Sequence, residues 1–355
     1  MGVDLRHGGN REAAAARLNC RPSQLLDASA SLAPWSPRRS GVPLSAIRDY
    51  PDRRQVSLRQ ALSGLHGVDP DAVLPGNGAA ELFTWAARDA AAVGVSALLA
   101  PGFADYRRAL QCWNAAWIDV PLTLSWDHAG PLVHPHLRAS VAWICNPHNP
   151  TGQLWSRDSL ERLLATHRLV ICDEAFLPLV PGGEQQSMIP LVEHHPNLVV
   201  IRSLTKLFGV AGLRVGYAVA HPDRLRRWSS WRDPWPVNGI ASAITEQLLV
   251  PRDRYQRWCR RVQHWTATEG AWMQRELSAV PGLCPMPSSV NFLLIAGAGS
   301  LVPLREALER HHRILLRDCR SFEGLGDSWL RIGLQTRANN RRIIRALRRL
   351  QSTSL

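Results

Sequence analysis

The stretch LVVIRSLTKLFGVAGLRVGYAVA, residues 198–220, decides the reading of this chain of 355 residues. Leu198 to Ile201 form a short, wholly apolar run. Runs of this kind suit a strand covered on both faces. Ser203-Leu204-Thr205-Lys206 follow at its carboxyl end, Arg214 comes eight residues after Lys206, and Val215 to Ala220 read as the next strand. Lysine is very rare in this sequence, which takes its positive charge from arginine. That contrast matters because a lysine in a suitable site sheds its proton and becomes a nucleophile, whereas arginine does not.

The same pattern extends outward. Ala97 to Ala100, Ala116 to Val120, Val141 to Cys145 and Leu169 to Cys172 are further strand candidates, separated by helical stretches. Alternation of this kind predicts an α/β large domain, a mostly parallel sheet with helices on both faces. Beyond WSSWRDPWPVN (228–238) come long helical patterns and then VNFLLI, RILLRD and WLRIGL as strands, which read as a smaller α+β domain. The expected division is an amino-terminal arm over 1–40 packing with the small domain, a large domain over 41–240 and a small carboxyl-terminal domain over 241–355. The Pro-rich APWSPRR suits an extended arm.

Composition narrows the function classes. Hydrophobic residues make up 45% and charged residues 20%, the balance of a globular protein. No run approaches the roughly 20 apolar residues of a membrane span, and the start has no signal-peptide layout, so a cytoplasmic protein is expected. The seven cysteines are scattered without a CxxC pair, which predicts neither a zinc site nor a disulfide framework. Net charge is +13, from 42 Lys plus Arg against 29 Asp plus Glu. Nucleic acid is not the expected partner. In RRIIRALRRL (341–350), the residues Ile343, Ile344, Leu347 and Leu350 recur at helical spacing, giving an amphipathic helix with a solvated arginine face.

Four more features precede Lys206 or flank it in a fixed order. Pro75-Gly76-Asn77-Gly78 opens a helical run, where free backbone N–H groups suit a phosphate. Asn146-Pro147-His148-Asn149-Pro150-Thr151-Gly152 follows the strand VAWIC, at the strand end where α/β sheets bind ligands. Asp173 ends the apolar LVIC, a poor place for a carboxylate unless it meets a cation. Phe103 stands in Pro101-Gly102-Phe103.

With this order on the page, nearly the whole chain resembles the fold type I pyridoxal phosphate enzymes of the class I/II aminotransferase family. The resemblance implies pyridoxal 5′-phosphate as cofactor. It implies Lys206 as the Schiff-base lysine, Asp173 as the partner of the pyridine nitrogen and Asn149 as the donor to the ring 3′ oxygen. Gly76, Asn77, Gly78, Ser203 and Arg214 match the phosphate cup, and Phe103 the aromatic that stacks on the ring. Tyr50, in Tyr50-Pro51-Asp52, matches the tyrosine that reaches the cofactor phosphate of a neighbouring subunit, implying a homodimer. Phe176 stands where the family often has tyrosine.

Substrate residues lie nearer the chain's ends. Arg331, in Trp329-Leu330-Arg331-Ile332, resembles the arginine that grips a substrate carboxylate. His7-Gly8-Gly9-Asn10, Leu26 to Ser31, Pro234 to Asn238 and Ser289 to Phe292 resemble the branch of the family that decarboxylates threonine phosphate in cobalamin biosynthesis. His7, Gly8, Gly9, Ser31, Asn149, Arg331 and Arg337 are then the substrate-binding candidates, for a small phosphorylated amino acid. The branch commonly has asparagine where Ser31 stands and arginine where Gln335 stands. A histidinol-phosphate type of aminotransferase is the alternative. A binding protein on the same fold would be expected to have lost Lys206 or Asp173, and both are present.

Overall fold

A computed structural model of the chain describes residues 7–37, 41, 44–124, 126 and 137–352. Residues 1–6, and Arg38 and Arg39 at the end of the expected extended arm, lie outside the described residues. In chain order the strands are β1 (Leu26–Asp27), β2 (Val73–Gly76), β3 (Ser96–Ala100), β4 (Trp117–Pro121), β5 (Val141–Cys145), β6 (Leu169–Asp173), β7 (Leu198–Ser203) and β8 (Gly216–Ala220), then β9 (Leu283–Pro285), β10 (Phe292–Gly297), β11 (Ile314–Leu315), β12 (Arg317–Asp318) and β13 (Trp329–Gly333).

Seven strands form one sheet in the order β2-β8-β7-β6-β5-β3-β4. β3 to β7 pair in parallel with one another and with β4, whereas β8 runs antiparallel to both β7 and β2. The single short helix Leu204–Phe208 and the turn Ala211–Leu213 do not carry the chain back along the sheet, so β8 returns in the opposite sense. Side chains alternate between two apolar cores. Val170, Cys172 and Val200 join the core on one face, and Ile171, Val199 and Ile201 join the core on the other. Both faces are covered by helices, among them Arg157–Thr166 on the first and Gly78–Val93 on the second.

β12, β13, β10 and β9 make a second, antiparallel sheet. The sequence reads RILLRD as one strand, but the structure breaks it. β11 pairs in parallel with β1 from the amino-terminal segment, while β12 turns into the second sheet against β13. β2, which sequence inspection leaves in a loop, is an edge strand held only by β8.

The alternation along β6 and β7 has a consequence at their carboxyl ends. Asp173 and Ser203 come out on the face of Ile171 and Ile201, and Glu174 and Arg202 on the opposite face. There Arg202 pairs with Glu174 at 2.7 Å, both side chains essentially inaccessible, and its other end holds Glu184 at 2.8 Å. Glu174 also accepts the Ser187 hydroxyl and the Met188 N–H. Replacing Arg202 by alanine leaves Glu174 buried without its cation and is expected to cost about 3–5 kcal/mol of stability. Denaturant unfolding checks this. A loss below about 1 kcal/mol would mean that the pair is not what binds the two strand ends.

Candidate active site

The ends of β5, β6 and β7 face a cavity of about 430 Å³, closed on the other side by the amino-terminal segment and by β12 and β13. Asp173 closes β6. Its Oδ1 accepts the Ala175 backbone N–H at 2.9 Å, and its Oδ2 accepts the Tyr106 hydroxyl at 2.6 Å. Burial pushes this carboxyl up to about 6, against the Tyr106 bond that favours the charge. The group is thus still ionised at neutral pH.

Lys206 is the single lysine of the chain. Ser203 ends β7 and caps the helix Leu204–Phe208, and that helix aims Lys206 into the cavity, with Nζ 5.6 Å from the Phe176 ring centre. Phe176 occupies the wall beside the amine and, lacking a hydroxyl, offers only an apolar face. Burial lowers the Lys206 ammonium to about 8. The charges of Arg331 and Arg214 push the same way and Asp173 opposes them. An amine so placed is neutral in roughly one molecule in ten at pH 7, far more than an ordinary lysine.

A close backbone crossing forms the next wall. Gly78 begins the helix Gly78–Val93 with φ +75°, and a Cβ there would come 2.5 Å from the Arg214 guanidinium. A Cβ at Gly216 would come 2.7 Å from the Ala79 nitrogen. Only glycine permits the helix start, β8 and Arg214 to approach so closely. The cavity is lined here by Ala79 and Ala80, with Ser203, Thr205 and Arg214 beside them. Gly76, Asn77 and Gly78 are not among the residues that line the cavity, and of the three Gly78 lies against the lining residue Arg214. Asn77 is exposed, and its N–H is taken by the Glu81 carboxylate at 2.6 Å.

Phe103 lines the cavity edge-on to His7, Phe83 and Tyr106. Asn149 reaches it from the loop after β5, where its Oδ1 accepts from Arg331. Asn146, in the same loop, is used up by the Trp155 backbone, and burial lowers the His148 imidazole to about 3.

Arg331 lies on β13, directly opposite Arg317 on β12. Like charges at cross-strand positions repel. Both guanidinium groups rest on the Phe322 ring, at 6.0 and 4.9 Å, and Arg331 also lies over Phe292 at 4.8 Å. Arg317 donates to the Asp318 carbonyl and the Ser321 hydroxyl. Arg331 donates to Asn149 and to the Ser29 carbonyl. Among the described residues it pairs with no carboxylate, and its buried Nε has no acceptor. Burial and the neighbouring Arg317 disfavour its charge, so an anion here would be stabilised.

The amino-terminal segment forms the lid. His7, Gly8, Ser29, Ala30 and Ser31 line the cavity. A Cβ at Gly8 would run into the Ser29 carbonyl, and the Gly9 N–H donates to the Ser29 hydroxyl, which donates in turn to Asp27. Ser31 is 2% exposed and its hydroxyl has no partner, a second unsatisfied polar atom on the cavity wall.

Three further expected residues, Gly9, Arg337 and Tyr50, stand outside the lining. Arg337 does not line the cavity. It opens the helix Arg337–Ser352, and its Nε meets both oxygens of Glu269 at 3.0 and 2.9 Å while its guanidinium lies over Trp272. The turn after β13 carries it toward the long helix Arg252–Ser278 and away from the cavity. Gln335 likewise ties backbone, donating to the Asp27 and Gly333 carbonyls. Tyr50 is 79% exposed and stacks on Trp235 at 4.4 Å, outside the cavity. Sequence inspection missed Arg317 and Tyr106. No local signal marks either, because strand register sets Arg317 opposite Arg331 and the packing of the helix Ala104–Gln111 sets Tyr106 against Asp173.

Comparison with known proteins adds relatives to this geometry. A family model for aminotransferase class I and II matches residues 44–347. The threonine-phosphate decarboxylase of Salmonella typhimurium is 33% identical over 96% of this chain and 95% of its own length. The crystal structure of L-threonine-O-3-phosphate decarboxylase from Porphyromonas gingivalis has a TM-score of 0.75 and 27% identity, covering 87% of this chain and 92% of that one. Histidinol-phosphate aminotransferase from Sinorhizobium meliloti, solved in complex with pyridoxal-5′-phosphate, has a TM-score of 0.80 at 21% identity, covering 98% of this chain and 95% of that one.

Proposed function

The chain belongs to the aminotransferase class I and II family, and from that premise we propose that it decarboxylates a phosphorylated amino acid, L-threonine O-3-phosphate. It is an enzyme dependent on pyridoxal 5′-phosphate. The cavity residues fit that group. Asp173 offers a buried carboxylate for a protonated ring nitrogen, and Ser203, Arg214 and the helix start at Gly78 offer donors for a phosphate. Lys206 offers an amine of lowered pKa. In this assignment Lys206 holds the cofactor covalently, Asn149 bonds its ring oxygen, Phe103 covers its ring face, and Gly76, Asn77 and Gly78 shape the phosphate end.

The observation that carries the substrate assignment is the facing pair Arg317 and Arg331, with the partnerless Ser31 hydroxyl beside them. Two cations on one wall suit a substrate with two anionic groups, a carboxylate and a phosphate; histidinol phosphate has a single one, and on the aminotransferase reading the pair would serve the two carboxylates of glutamate. His7 and Gly8 line the same cavity, and the Gly9 N–H holds the Ser29 hydroxyl of its wall. When bound, pyridoxal phosphate supplies an electron sink for whichever bond at the substrate Cα stands perpendicular to its ring. The task of the arginine pair is to hold the substrate so that this bond is the one to the carboxylate. That bond would break, carbon dioxide would leave, and the Lys206 side chain, as its ammonium, would give a proton to Cα, with (R)-1-amino-2-propanol O-2-phosphate as the product. This is the chemistry of the cobalamin branch that the amino-terminal motifs resemble.

On this assignment the chain divides into the arm (1–40), the cofactor domain (41–240) and the small domain (241–355). The exposed Tyr50 serves the cofactor phosphate of a second copy in a homodimer, with Trp235 stacked behind it.

The test is release of carbon dioxide from threonine O-phosphate by the purified, cofactor-loaded protein with no keto acid present. Stoichiometric carbon dioxide and aminopropanol phosphate are expected. If turnover instead requires a keto acid or glutamate and no carbon dioxide appears, the protein is an aminotransferase of the histidinol-phosphate type.

A further inference from the structure

Tyr106 sits in the helix Ala104–Gln111, three residues after Phe103, with its ring enclosed by Phe83 at 5.1 Å, Trp143 at 5.3 Å and Phe103 at 5.6 Å. It is 5% exposed, and its hydroxyl points at Asp173 Oδ2. Every group facing that carboxylate can be named. Ala175 N–H serves Oδ1, Tyr106 serves Oδ2, and the Cys145 thiol at the end of β5 lies 3.9 Å from Oδ2. Lys206 contributes a favourable charge from the cavity and Glu174 an unfavourable one from behind the sheet. Burial drives the Tyr106 phenol and the Cys145 thiol upward, so both stay protonated, and the tyrosine is a fixed neutral donor at every working pH. It is also the largest single influence that opposes the burial of Asp173.

We propose that Tyr106 is a positioning residue for the reaction: its hydroxyl keeps Asp173 ionised and fixed in rotation, so that the carboxylate faces the cofactor ring as an acceptor. This rests on the assignment of Asp173 to the ring nitrogen. A carboxylate in an apolar setting with only one backbone donor would protonate near neutrality, and it would then present no charge to hold a proton on the ring. The aromatic cage around Tyr106 excludes water, which could otherwise replace the hydroxyl.

The experiment measures the dissociation constant of pyridoxal phosphate from the apoprotein between pH 5 and 9 for the wild type, Tyr106→Phe, Trp143→Phe and Asp173→Asn, with thermal melts of each apoprotein. Removing a donor to the charged form raises the carboxyl pKa, so the pH below which cofactor binding is lost moves upward. Tyr106→Phe is expected to raise that midpoint by about one pH unit, which weakens binding about twofold at pH 7 and about tenfold at pH 5. Trp143→Phe loosens the same cage without touching the hydroxyl, so its melt falls while its midpoint stays at that of the wild type. Asp173→Asn is expected to abolish the midpoint. An unmoved midpoint in Tyr106→Phe, or an equal movement in Trp143→Phe, overturns the role given to Tyr106 and leaves Asp173 in place. A wild-type midpoint retained in Asp173→Asn removes Asp173 itself from the ring nitrogen, and the proposal with it.

Discussion

Replacement of Lys206 by alanine is expected to abolish covalent attachment of the cofactor and to lower turnover by at least about 10³-fold, since one side chain serves both as nucleophile and as proton donor. The sequence makes this experiment unusually clean. Lys206 is the only lysine, so the variant is lysine-free and no neighbouring side-chain amine can take its place. Wild-type protein reduced with borohydride should carry the cofactor mass on the peptide containing Lys206, and the variant should carry none after denaturation. Its visible absorbance should vanish likewise. The pH dependence follows from the cavity. Burial, Arg331 and Arg214 hold the ammonium at about 8, so the neutral amine that attacks grows as pH rises through that value. The rate of covalent capture by the apoprotein should therefore climb between pH 7 and 9 and then level. Retention of the cofactor mass in the alanine variant would remove Lys206 from the centre of the chemistry.

The second large effect is expected at Asp173. Asparagine keeps the size of the side chain, and its oxygen can still accept from Ala175 while its amide nitrogen donates to the Tyr106 hydroxyl, yet it carries no charge to hold a proton on the ring nitrogen. Preorganised charges of this kind are each worth about 10²–10³ in turnover, and that is the fall expected for Asp173→Asn, with the Michaelis constant for substrate changed much less. The carboxyl of the free protein lies at about 6, pushed up by burial. In the loaded enzyme the protonated ring nitrogen beside it favours the charge, so the acid limb of wild-type activity, where the charged form is lost, should lie below that value. The asparagine variant has nothing to titrate there, and its residual rate should show no such limb. Equal turnover in wild type and variant would mean that the ring nitrogen is served by another group.

How far the sequence reveals this enzyme can be followed residue by residue. The strands β5, β6 and β7 are legible as short apolar runs, because a strand covered on both faces leaves no polar period to confuse it. Asp173, Ser203 and Lys206 are legible for the same reason, as polar groups abruptly ending those runs. β2 escapes because Val73–Gly76 is four residues long and ends in a proline and a glycine, and only the neighbouring β8 makes it a strand. RILLRD escapes in a different way. Its six residues look continuous, but the chain changes sheets between Leu315 and Arg317, and nothing local to the sequence announces which partner each half will find.

The substrate wall shows the limit most clearly. Arg317, Arg331 and Arg337 are three arginines among many in a chain rich in them, and composition cannot rank them. Antiparallel register sets Arg317 opposite Arg331 over Phe322, whereas the turn after β13 sends Arg337 to Glu269.

By itself, then, the sequence determined the mostly parallel sheet and singled out Lys206 as a possible nucleophile, since these depend on hydrophobic runs and on a residue type that occurs once, while the class of cofactor is what the resemblance of its motifs implies. Only the tertiary structure decided which arginines face the cavity, that Ser31 and Arg331 present polar atoms without partners, and that Tyr106 holds Asp173 across 67 residues of chain. Those depend on strand register and on distances between segments far apart in sequence, and no local periodicity encodes them.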